Sequence, residues 1–238
     1  MITYPRSSAY ANLWKGKIMG PNPVKLTEEL MRSVPILPGS NVLDLGSGMG
    51  ITSVFLAKEY GLTVTAGDLW SNPEDNQKFF ASCNLSETRI KAVKADATAL
   101  PFEPESFDAI FCIDSYNYFG RDKTYLNRCL LPFVKHGGYI AVVITGMTQD
   151  MHDNLPAELL AAWTPEQLEY IHDVTYWRDI LTAADGLAES RVFVMESHEE
   201  VWNDWLAESN EYAANDRKAF EAGGGKYLNF VAGILKKA

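Results

Sequence analysis

Short apolar runs alternate along this chain with longer stretches that carry apolar residues on one side only. The first run, Val42 to Leu45, contains a single acid, Asp44, and breaks into glycines at 46, 48 and 50. Ile51 to Tyr60 follows with helical spacing, placing Val54, Phe55 and Ala57 inward. Strand, glycine turn and helix in that order open a doubly wound α/β unit, whose ligands sit over the carboxyl ends of the strands. Further strands are predicted at Thr63–Asp68, Lys91–Ala95, Phe107–Ile113, Tyr139–Thr145, Ser190–Ser197 and Tyr227–Leu235. Phe107–Ile113 is almost wholly apolar, as a strand covered on both faces must be. Helices are predicted at 24–34, 71–81, 122–132 and 199–220. Thr164-Pro165-Glu166-Gln167 reads as a capping box with proline at the first helical position. Thr175 is the expected cap of the next helix and Gly186 its stop.

Composition narrows the function classes. The chain has 238 residues, 47% of them hydrophobic, which is enough for one large α/β domain, and its net charge is −10. That charge repels phosphate backbones, so nucleic acid is not an expected partner. No run of 18 apolar residues predicts a membrane span, and the first residues do not read as a signal peptide. Cys83, Cys112 and Cys129 show no ligand spacing, and a reduced, cytoplasmic protein is the expectation. The order Gly46-x-Gly48-x-Gly50 is not the G-x-G-x-x-G of dinucleotide turns. No basic residue stands near it for phosphates, which disfavours a nicotinamide or flavin oxidoreductase. No metal-ligand set stands out, because Asp114 lacks a clear second and third carboxylate.

Asp44 with the three glycines reads D-x-G-x-G-x-G, and Asp68, Lys94-Ala95-Asp96-Ala97, Phe107 to Asp114 and Lys135 to Ile140 follow at regular intervals. This series resembles class I S-adenosylmethionine-dependent methyltransferases over roughly residues 36–145. With Met19 to Pro23 and Asp68-Leu69-Trp70, it looks nearest to small bacterial ubiquinone/menaquinone-type methyltransferases. The resemblance implies an α/β fold with a doubly wound, mostly parallel seven-stranded Rossmann-like sheet, an antiparallel last strand and helices on both faces. It implies a single domain over 1–238, with residues 1–35 as a helical lid and 146–181 as a roof over the acceptor. S-adenosylmethionine is the implied cofactor and S-adenosylhomocysteine the product.

Gly46, Gly48 and Gly50 would cradle the cofactor, with Asp44 near its methionine part unless that carboxylate only bonds the glycine turn. Asp68 can accept from both ribose hydroxyls, as acids at second-strand ends do; its alternative is a cap for the following helix. Leu69 lies by the adenine, and Asp96 and Ala97 hold its edge. Asp114 closes the fourth strand where the methyl group should lie. General-base candidates are Asp114, Tyr116, His152 and His172, whereas Tyr118 and Phe119 read as core. A small-molecule acceptor is expected. A protein or peptide acceptor and a non-catalytic cofactor-binding protein are the alternatives, and oligomeric state is left open.

Overall fold

The computed structural model describes residues 4–238. Its seven strands are β1 (Asn41–Leu45), β2 (Thr63–Asp68), β3 (Ile90–Lys94), β4 (Phe107–Ile113), β5 (Val134–Met147), β6 (Leu187–Val194) and β7 (Leu228–Lys237). They form one sheet in the order β3-β2-β1-β4-β5-β7-β6. The first five are parallel, and β7 inserts antiparallel between β5 and β6. The doubly wound sheet with an antiparallel last strand is therefore present. The strand order reverses between β1 and β4, and a crevice opens there above their carboxyl ends.

The main helices are α1 (Pro23–Met31), α2 (Ile51–Glu59), α3 (Pro73–Ser82), α4 (Val174–Leu181), α5 (His198–Leu206) and α6 (Glu211–Glu221). Successive strand residues alternate faces, and this divides the core in two. Val42, Phe111, Val143 and Ala232 pack with α1, α2 and α5. Leu43, Ile110, Val142 and Val231 pack with α4 and the 126–131 segment. Among the described residues no helix is long and apolar enough to cross a membrane.

The N-terminal segment is tied down by carboxylates. Glu28 accepts from the backbone of Arg6 and Ser7, and Glu29 from the backbone of Glu196 and Ser197. Asn22 caps α1 by accepting from the Val24 and Lys25 N–H groups. Residues 1–3 of the expected lid lie outside the described residues.

Several elements differ from the sequence expectation for identifiable reasons. The predicted 199–220 helix is two, because Asn210 turns its side chain onto the Ala213 N–H and caps α6. The 122–132 helix shrinks to one wide turn over Leu126–Leu130 followed by a tight one containing Pro132, which has no N–H to continue it. Asp173 caps α4, not Thr175. The Thr164 capping box forms, but on a single turn, Pro165–Leu168.

Candidate active site

At the end of β1 the chain leaves the sheet through Gly46, whose φ of +76° is left-handed. A Cβ there would lie 2.5 Å from the Ser115 side chain, so only glycine lets the two strand ends approach. Asp44 is 1% exposed. It accepts from the Thr52 and Ser53 hydroxyls at 2.5 and 2.6 Å, and so anchors the first turn of α2 rather than the glycine turn. Burial pushes its carboxyl up to about 6 against these two hydrogen bonds.

Asp68 does not cap α3, which Asn72 does. One Asp68 oxygen accepts from the Gly48 N–H at 3.0 Å, and the other from Trp70 and Ser71 N–H at 2.8 and 2.7 Å. The carboxylate thus fixes the glycine turn to the end of β2.

Beside it opens a cavity of about 650 Å³, bordered by Gly46, Asp68, Leu69, Trp70, Asp96 and Ala97. Trp70 is 90% exposed and free to present its ring. Asp96 is exposed, and the Thr98 N–H and hydroxyl hold its carboxyl below the usual range. Apolar rings, two carboxylates on the rim and a glycine turn without Cβ atoms fit a nucleoside bearing ribose hydroxyls and an exocyclic amine.

β4 ends at Asp114, a non-glycine residue at φ +54°. Such backbone is uncommon outside glycine, and strain of this kind gathers at functional sites. Asp114 borders the nucleoside cavity and two others: a small one over the glycine turn and one of about 400 Å³ beneath α5 and α6. It accepts from the Thr145 hydroxyl at 2.6 Å. Burial raises its carboxyl to about 6 against that hydrogen bond, and the charge of Asp216 adds to the rise. Met19 borders all three cavities and Gly20 the last two, with the Gly20 backbone against the second Asp114 oxygen.

The 400 Å³ cavity is aromatic and acidic. Tyr118, Trp163, Tyr170, Trp202, Trp205 and Tyr212 supply its rings. Asp216 accepts from the indole N–H groups of Trp163 and Trp205, each at 2.9 Å, and burial raises its carboxyl. The Asn117 side-chain oxygen is buried in this wall without a partner. Among the described residues that line it there is no lysine or arginine.

Residues 42–138 match the family model described as a methyltransferase domain. Over this stretch the chain carries a methyltransferase domain. Over 150 residues, 62% of this chain, it is 27% identical to methyltransferase GfsG of Streptomyces halstedii. Over 105 residues, 44% of the chain, it is 33% identical to a 2-methyl-6-phytyl-1,4-hydroquinone methyltransferase of Synechocystis. The aligned parts span 54% and 32% of those two relatives. The fold is also that of Haemonchus contortus phosphoethanolamine N-methyltransferase 2, solved with phosphomonomethylethanolamine and S-adenosylhomocysteine. That likeness has a TM-score of 0.70 at 19% identity, over 98% of this chain and 58% of that one.

Within this methyltransferase domain the general-base candidates separate. Asp114 stands at the junction of the cavities. Tyr116 is a correction: the left-handed turn at Asp114 and the tight turn after it swing its ring into the core, fully buried against Phe119, Tyr125 and Trp177. Burial lifts its phenol well above the usual range.

His152 and His172 border none of the three cavities. His172 pairs its backbone with Met147 and stacks on Tyr176 at 3.6 Å, outside the wall that Gln167, Tyr170 and Ile171 present inward. Tyr118, expected in the core, is 68% exposed and lines the acceptor side. Asp216 and Thr145 escaped the sequence reading; an acid one or two turns into a polar helix gives no signal of its own.

Proposed function

We propose that this domain transfers a methyl group from S-adenosylmethionine to the nitrogen of a small amine that lacks a phosphate. The observation that carries this reading is Asp114, with its raised carboxyl, between a nucleoside-shaped cavity and an aromatic, acidic one with no lysine or arginine. Bound S-adenosylmethionine supplies an electrophilic methyl on a sulfonium, and the acceptor lone pair forms the new bond as the carbon–sulfur bond breaks. Asp68 and Asp96 hold the nucleoside by its ribose hydroxyls and amine, and the glycine turn passes under it. The aromatic walls attract a cationic acceptor, each face contributing about 0.5–2 kcal/mol. The unpartnered Asn117 oxygen accepts an N–H and aims the nitrogen. Asp114 takes the proton the nitrogen must lose, a role its raised carboxyl suits better than an ordinary aspartate would. Residues 4–35 and the 146–181 segment exclude water from the transfer.

The phosphobase of the Haemonchus structure needs cationic partners that this cavity does not offer. Product S-adenosylhomocysteine should therefore accumulate with primary and secondary aryl-alkyl amines and only weakly with phosphoethanolamine. Turnover of hydroquinones with none of the amines would overturn the nitrogen assignment.

A further inference from the structure

Asp150, His152 and His172 bring one carboxylate and two imidazoles together on the outer side of the acceptor-cavity wall, with ligand atoms all within 4.8 Å of one another. The ring contacts decide what the cluster is for. The His152 Nε2 lies 3.1 Å from the Leu168 carbonyl, and the His172 Nε2 lies 3.1 Å from the Glu169 carbonyl. A carbonyl only accepts, so each Nε2 carries a proton. Both Nδ1 atoms therefore turn toward the same Asp150 carboxylate.

For His152 a charge-assisted hydrogen bond explains the contact: Nδ1 is 2.8 Å from Asp150 Oδ1, and with Nε2–H already on a carbonyl the ring donates there only as imidazolium, whose Nδ1 proton a bound ion would displace. For His172 it does not. Its Nδ1 is buried with no hydrogen-bond partner and stands 3.7 Å from Asp150 Oδ2, beyond hydrogen-bond reach. Two imidazoles oriented by Nε2–H bonds to carbonyls, with both Nδ1 atoms converging on one carboxylate, have the outer hydrogen bonds of metal-ligating histidines.

We propose that Asp150, His152 and His172 bind a first-row divalent ion such as Zn²⁺. Two imidazoles and a carboxylate suit these ions, with water completing the coordination at the exposed side of Asp150. Ligand atoms about 2.0–2.2 Å from a common ion lie no more than roughly 4 Å apart. Small rotations of the exposed Asp150 and partly exposed His152 side chains would close the set.

The ion would join 150–152 to 168–172, the two ends of the stretch that presents Trp163, Gln167 and Tyr170 to the cavity. Clipping a loop of this length favours its ordered form. The site would therefore fix the acceptor wall from outside without touching the reacting atoms.

The test is calorimetric titration of the untagged full chain with zinc chloride, with hydrogen exchange read in parallel. One ion should bind with a Kd of about 1 µM or tighter, and Asp150→Asn and His152→Gln should each weaken it at least roughly tenfold. His136→Gln serves as control. That histidine also faces a carboxylate, Glu105 at 3.1 Å, but is 74% exposed, and its loss should leave the affinity unchanged. Zinc should slow exchange over residues 150–172 and leave 134–138 unaltered. No saturable binding below about 100 µM overturns the proposal, and so does tight binding that Asp150→Asn and His152→Gln leave intact.

Discussion

Replacing Asp114 with asparagine tests the site from its energetics as well as its chemistry. Burial disfavours the charge of this carboxyl and pushes it up from its ordinary value of 3.8 to about 6. A group with a raised folded value binds more protons folded than unfolded between those two pH values, so its contribution to stability falls as pH rises through that window. Above about pH 6 the ionised carboxylate costs the fold about 3 kcal/mol by linkage. Asp114 is only half-buried, and solvent screening brings a realistic figure to about 1–2 kcal/mol.

Asparagine keeps the shape and an oxygen for the Thr145 hydroxyl, and it never ionises. Asp114→Asn should therefore be more stable than the parent at pH 7 by about 1–2 kcal/mol. The advantage should shrink below pH 6 and vanish near pH 4. The same variant removes the proton acceptor, and general bases contribute about 10²–10⁴-fold. Turnover should fall by that order, and the limb of the pH–rate profile near 6 should disappear. Urea unfolding at several pH values, paired with S-adenosylhomocysteine production, reads both. A stability difference equal at pH 4 and pH 7 would refute the buried-charge account, and near-parental turnover would refute the base.

S-adenosylhomocysteine should raise the melting temperature while NAD does not, and Asp68→Ala should weaken the former by at least about tenfold, since charge-assisted hydrogen bonds cost about 1.5–3 kcal/mol to lose; isothermal titration decides it, and parental affinity would leave Asp68 a purely structural tie. Because Met19 borders all three cavities around Asp114, hydrogen exchange at residues 10–20 and 146–172 should slow when S-adenosylhomocysteine and acceptor bind, while β1 and β4 change little. Equal exchange with and without ligands would show a fixed cover and no lid.

What the sequence made legible is what local chemistry dictates. The glycine turn, the acid ending β2 and the apolar β4 each constrain their own neighbourhood, so pattern alone places them along the sheet edge. The acceptor side is assembled differently. Asp216 acts from α6, 102 residues beyond Asp114, and its value lies in two indole N–H bonds to Trp163 and Trp205 that no spacing announces.

Tyr116 shows the limit at short range. Two residues from Asp114, it shares the same loop. A φ of +54° at Asp114 redirects the chain, so that Tyr116 enters the core while Tyr118 faces the cavity. A strand alternation continued past Ile113 assigns these side chains wrongly, because alternation ends where the backbone leaves the extended region. That strained residue thus does two things. It aims its own carboxylate at the junction of the cavities, and it turns Tyr118, four positions on, into the wall of the aromatic cavity. The same backbone turn therefore orders the proposed base and the cavity face together, and a substitution that relaxed it would disturb both.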